Sequence, residues 1–217
     1  WRQKLAGAVR RWLCGPSSVQ CGPMPLGRSP RVLIVGAGGL GGIAGAKLAK
    51  HGTDVTLIST NPDIRAAIDH HGVVVVDGTN RSATSVRVVD QPAHDERFDL
   101  VVLATQPPSV EAAAEGIARF CHADSRVVVL QNGLCEPRVQ AKLGAVRVVG
   151  AVVAWGATMD SPGTYEQTAH GGFTLGYWDG SRDAALDQVA TWLAPVGACK
   201  ITHNLPGVRW SKLALNC

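Results

Sequence analysis

Two sets of residues in this 217-residue chain have types and spacing that could do chemistry. The first is Gly36-Ala37-Gly38-Gly39-Leu40-Gly41, which follows directly on the apolar run Val32-Leu33-Ile34-Val35. A bare G-x-G-x-x-G is common by chance, but one that leaves a buried strand and opens a helix is a cradle for a dinucleotide pyrophosphate. By position, Gly36 permits the tight turn, Gly38 lets the backbone approach the pyrophosphate, and Gly41 lets the helix pack on the strand. The helix N-terminus then turns free N–H groups toward the anion. A flavin site or a glycine turn without ligand are the competing readings. The second set is Lys212 and Asn216, four apart and so on one face of a helix, a cation beside an amide, while Trp210, Leu213 and Leu215 can pack elsewhere. The same spacing also fits a solvated lysine and a surface amide.

Nicotinamide cofactors are told apart at the end of the second strand, where an NAD site usually carries Asp or Glu. Ser59, Thr60 and Asn61 stand there instead. Hydroxyl and amide groups do not repel a 2′-phosphate, so the site is expected to prefer NADPH/NADP over NADH, with Arg65 helping if its helix turns it inward. A plain polar turn into a helix N-terminus explains the same three residues. Asn132 follows the strand Val127–Leu130, at the sheet edge where ligands of such folds bind, although Asn-Gly is also an ordinary turn. Gly150 and Gly156 flank the strand that would border the nicotinamide, which suggests close backbone approach at Gly156.

The elements that must position these residues follow from hydrophobic periodicity. Apolar strand candidates at 31–36, 54–59, 98–104, 126–130 and 147–154 alternate with helical stretches at 40–50, 62–70, 109–120 and 136–143. Such alternation predicts an α/β fold of Rossmann type, a doubly wound parallel sheet covered on both faces. Short β-rich pieces at 164–168 and 172–177 are expected as antiparallel strands added at its edge, followed by a helix near 182–194 and a last strand at 198–203. A turn at Pro206-Gly207 then leads into a helix that the sequence leaves without a capping glycine. Residues 1–30 read as an irregular extension with Met24 as the expected natural start, 31–204 as the nucleotide-binding domain, and 205–217 as the first part of a further helical domain that is missing here.

Composition excludes several classes. Hydrophobic residues make up 46% and charged ones 18%, which describes a chain with a real core and not a disordered one. The net charge of +4 is spread out and gives no basic face for nucleic acid. No apolar run has the length to cross a bilayer, so no membrane partner is expected and the reading is cytoplasmic. The six cysteines and seven histidines show no spacing that suits a metal or a disulfide framework.

Three features in chain order resemble the ketopantoate reductases (2-dehydropantoate 2-reductases). They are the glycine loop, Gln131-Asn132-Gly133 directly after a strand, and Trp210-Ser211-Lys212-Leu213 with Asn216-Cys217. The W-x-K-L-x-x-N-C ending is the most specific of them. The resemblance implies NADPH-dependent reduction of 2-dehydropantoate to pantoate, a step toward pantothenate. It gives Lys212 the role of proton donor to the ketone oxygen, Asn216 that of holding a substrate hydroxyl or carboxylate, and Asn132 a cofactor contact. It also implies a helical C-terminal domain that closes over a small 2-oxo acid. One departure matters. The family's lysine after the strand Leu100–Ala104 is replaced here by Thr105-Gln106-Pro107-Pro108, and Gln106 can hydrogen-bond the ligands but brings no charge. A reductase of a different 2-oxo acid, or a catalytically incomplete NADP-binding fragment, therefore stays open. The sequence is silent on oligomeric state.

Overall fold

The computed structural model describes residues 29–144 and 147–216, Asn216 by its backbone alone. The expectations for the first 28 residues, including the start at Met24, and for Cys217 lie outside the described residues. In chain order the elements are β1 (Arg31–Val35), α1 (Gly39–Lys50), β2 (Asp54–Ile58), α2 (Pro62–His71), β3 (Val73–Asp77), β4 (Asn80–Thr84), β5 (Arg87–Val89), β6 (Phe98–Leu103), α3 (Val110–Ile117), β7 (Cys121–Val129), α4 (Glu136–Leu143), β8 (Arg147–Val153), β9 (Gly156–Ser161), β10 (Thr164–Ala169), β11 (Phe173–Gly176), α5 (Ala184–Leu193), β12 (Cys199–Ile201) and α6 (Leu205–Asn216).

The main sheet has eight strands in the order β12-β11-β8-β7-β6-β1-β2-β5. The run from β8 to β5 is parallel throughout. β11 joins β8 antiparallel, and β12 lies parallel to β11, so the expected added edge is present. In β1 the side chains alternate between two cores. Val32 and Ile34 pack on the α1 side with Ile43, Leu57 and Leu100. Leu33 and Val35 pack on the α3 and α4 side with Val101, Val110 and Val139. A strand buried on both faces has to be apolar at every position, which is why this one reads as an unbroken run.

The segment 164–168 does not join the edge of this sheet. It forms β10 in a second, four-stranded sheet of order β4-β3-β10-β9, which lies over α1. β10 runs parallel to β3 and antiparallel to β9. Helix α1 is thereby enclosed between two sheets, and Gly41, Gly42, Ile43, Ala44, Gly45, Ala46 and Leu48 are all buried. The second sheet was hard to foresee because two of its strands face water. β4 (Asn-Arg-Ser-Ala-Thr) and most of β9 carry exposed side chains with no apolar alternation.

The expected turn at Pro206-Gly207 is instead the first turn of α6. Asn204 Oδ1 accepts from the Gly207 N–H at 3.0 Å and caps the helix. Proline costs little there, since the N–H it lacks would have no partner inside the helix.

Candidate active site

The parallel strands end together on one edge, and the connections leave in opposite directions on either side of β1 and β6. Ligands of open α/β sheets bind in the crevice at such a point. Gly36 sits there at φ +106°, and a Cβ on it would lie 3.0 Å from the Ala104 carbonyl at the end of β6. A Cβ on Gly41 would stand 1.9 Å from the Gly36 oxygen, so the helix can lean onto the turn only with glycine at this position. Above Gly38, by contrast, the space is open, and the residue is exposed. α1 starts at Gly38 without a side-chain cap and without an acidic residue in its first turn. The N–H groups there are free for an anion, and nothing nearby repels one. Ala37 is buried, and Gly39 and Leu40 are half-buried on the inner side of the loop.

At the end of β2, residues 59–61 form the polar turn into a helix N-terminus that was one of the two expectations. Asn61 caps α2, its Oδ1 accepting from the Asp63 N–H at 2.8 Å. Ser59 is buried and its N–H donates to the Val89 carbonyl, while Thr60 is exposed. Arg65 does turn inward: its guanidinium donates to the Ser59 carbonyl at 2.7 Å and pairs with Asp90 at 3.5 Å. A cation therefore stands at the strand end, and the 59–61 segment contributes no carboxylate.

Further along the same edge, Gln106 is exposed after β6. Asn132 is exposed after β7, in a loop that turns at Gly133 with φ +87°. Between them the buried Gln131 donates to Thr105 Oγ1 at 3.0 Å and ties the two loops together. Gly156 begins β9, and the space a side chain would need is occupied by Thr168 of β10, which explains the glycine by packing. Lys212, on α6, donates from Nζ to the Val153 carbonyl at the end of β8. Burial, and secondarily the charge of Arg209, lowers the lysine below its ordinary value of 10.5. An ammonium of lowered pKa gives up its proton more readily, which suits a general acid. Asn216 lies in the same helix, one turn on.

With glycine loop, amide loop and lysine set along one edge in that order, comparison with known proteins decides the family. Residues 32–180 match the model of the ketopantoate reductase PanE/ApbA family. The chain belongs to that family. The ketopantoate reductase family comprises oxidoreductases. A 2-dehydropantoate 2-reductase of Pyrococcus horikoshii is 29% identical over 86% of this chain and 60% of that protein. A 2-dehydropantoate 2-reductase structure from Geobacter metallireducens superposes with TM-score 0.78 at 27% identity, over 86% of this chain and 62% of that one. D-mandelate dehydrogenase, in a ternary structure with NADH and anilino(oxo)acetate, shares the fold with TM-score 0.79 at 22% identity, over 85% and 61% of the two chains. The chain spans about three fifths of the length of the curated relatives it matches.

Within this ketopantoate reductase fold, two features stand out that sequence reasoning missed. Tyr165 of β10 is fully buried, its ring packs where a side chain on Gly42 would be, and its hydroxyl donates to the Ala37 carbonyl at 2.8 Å. The second sheet thus holds the glycine loop from behind. Arg209 and Glu136 form an ion pair with side chains 2% and 1% exposed. Arg209 also donates to the Gln131 carbonyl at 2.8 Å and the Val129 carbonyl at 3.0 Å. Burial pushes the Glu136 carboxyl above the usual carboxylate range, against the pull of Arg209. No sequence period could reveal the pair, since its members are 73 positions apart.

Proposed function

We propose that the protein of which this chain is part binds NADPH across the carboxyl edge of the main sheet and reduces the ketone of 2-dehydropantoate to pantoate, serving pantothenate synthesis. The observation that carries this reading is the half-buried Lys212 ammonium, docked at the end of β8 on the same edge as the open phosphate loop. The residues fit such a cofactor: an uncapped, acid-free helix start for the pyrophosphate, Ser59, Thr60 and Arg65 for the ribose end, and Gln106, Asn132 and Gly156 along the path toward Lys212.

Bound there, the reduced nicotinamide supplies a hydride to the ketone carbon. The residues of the chain manage the oxygen. As charge develops on it, Lys212 donates a hydrogen bond and then its proton, the product leaves as an alcohol, and the neutral amine is reprotonated from water. Asn216 is assigned to the substrate's hydroxyl or carboxylate. We take residues 31–204 as the nucleotide-binding domain and α6 as the first helix of a helical one. Trp210 and Leu215 on α6, 57% and 48% exposed, support that division. We propose the cytoplasm as the place of the reaction; among the described residues no helix is long and apolar enough to cross a membrane.

A second reading keeps the chemistry and changes the acid. Gln106 is exposed where the resemblance implies a lysine, so the site has one cation fewer for a substrate carboxylate. The test is direct. Titration with NADPH and NADH, followed by fluorescence, is expected to show preference for NADPH. The full-length gene product is then expected to oxidise NADPH when 2-dehydropantoate is added. Turnover only with other 2-oxo acids selects the second reading, and absence of nucleotide binding overturns both.

A further inference from the structure

We propose that Arg209 is a positioning residue: anchored on Glu136, it fixes α6 against the end of β7 and so sets where the Lys212 ammonium stands. The proposal rests on the assignment of Lys212 as proton donor for its meaning, but not for its test.

The geometry is specific. Arg209 and Lys212 are three apart on α6 and so share a side of the helix. All three nitrogens of the Arg209 guanidinium are engaged: Nε and one terminal nitrogen on Glu136, and the terminal nitrogens also on the carbonyls of Gln131 and Val129. Those carbonyls flank Leu130, immediately before Asn132. One side chain therefore joins the lysine helix to the loop assigned to the cofactor.

Stability alone is a poor reason for such a pair. Two apolar residues of the same volume would hold α6 to the sheet at least as well, because burying charges is costly. What the guanidinium adds is direction, a rigid planar fork with fixed acceptors. The rest of the fold makes room for it. A side chain on Gly150 of β8 would lie 2.4 Å from Glu136 Oε1 and 2.4 Å from Leu205 of α6, so glycine stands where strand, carboxylate and helix meet.

The electrostatic surroundings of Lys212 are simple. Of the elements packed against α6, β11 has no ionisable side chain, and β8 has only Arg147, at the end remote from Val153. α4 offers Glu136, which Arg209 engages, and the neighbouring Cys135 thiol is pushed up by burial and stays neutral. On α6 itself the charge acting on Lys212 is that of Arg209.

The experiment labels lysines of the chain with an amine-reactive reagent as a function of pH and reads Lys212 by mass spectrometry, with exposed Lys50 as internal control. The variant is Arg209→Met with Glu136→Gln, which leaves no buried charge stranded. Once Lys212 is no longer held, its maximal labelling rate is expected to rise several-fold and its midpoint to move up, with Lys50 unchanged. A lower melting temperature with both Lys212 parameters unchanged would show Arg209 to be structural cement and overturn the proposal. If the double variant does not fold, Arg209→Lys replaces it. That change keeps the charge and loses the fork, so the maximal rate is expected to rise and the midpoint to move up by less than in the double variant, and an unchanged rate overturns the proposal. No substrate is needed. Loss of the proton-donor assignment itself would appear separately, as undiminished turnover in Lys212→Met.

Discussion

The glycine loop and the lysine helix lie on the same edge of one sheet but are built in opposite ways. The loop is made of backbone: glycines, a helix start and an open space above Gly38, held between two sheets. The lysine helix is made of side chains: it is held on one side only, by Leu205, Arg209 and Lys212, with Trp210 and Leu215 facing outward. A backbone site tolerates almost no added volume, and a side-chain site tolerates almost no loss of a specific group.

The sharpest way to break the comparison is to add one methyl group to the loop. Gly41→Ala drives a Cβ to 1.9 Å from the Gly36 oxygen, and NADPH affinity is expected to fall by about 100-fold or more in a fluorescence titration. Lys212→Met should do the reverse. It is expected to lower kcat by about 10²- to 10⁴-fold while nucleotide affinity is kept. In the unaltered protein the acid must be protonated, so kcat should fall as pH rises, on a limb displaced below the ordinary lysine value of 10.5. A limb at or above that value would speak against Lys212.

Arg65→Ala is expected to weaken NADPH by about tenfold and leave NADH unaffected, measured as a ratio of dissociation constants. Tyr165→Phe strands the buried Ala37 carbonyl. It should cost about 1–2 kcal/mol in denaturant unfolding and a few-fold in nucleotide affinity. The smallest effect lies at the opposite edge of the sheet. Glu96 bridges Arg31 and Arg87 and is held at about 2, chiefly by the Arg87 hydrogen bond. Its folded value is depressed, so its contribution is present above the unfolded value of about 4.3 and is lost as pH falls toward 2. Glu96→Gln is expected to cost about 1 kcal/mol at pH 7, only a small fraction of that at pH 2, and no nucleotide affinity at either.

The same contrast explains what the sequence makes legible. The parallel strands and the glycine loop are written locally, because a strand buried on both faces must be apolar and a turn without room for Cβ must be glycine. Lys212 is also readable, through its neighbours Trp210 and Leu213. The second sheet is not, since β4 and β9 obtain their order from pairing with β3 and β10 and not from a pattern of their own. Pro206-Gly207 reads as a turn because the cap that converts it into a helix start is an asparagine two residues earlier. Arg209 reads as one more surface arginine until its carboxylate, far away in the chain, is brought beside it. Apart from that local cap, what escapes is a contact between distant segments, for which one-dimensional spacing carries no trace.

Helix α1 has glycine at positions 39, 41, 42 and 45, each costing about 1 kcal/mol in helix propensity relative to alanine. Left to itself this segment would stay uncoiled; it is helical because two sheets grip it. One of those grips, Tyr165 on Ala37, spans 128 positions. On the ribosome, then, the glycine loop emerges well before its packing is complete. The loop and α1 are fully enclosed only after β10 has been made, and a nascent chain stopped before residue 156 is expected to leave α1 open to hydrogen exchange.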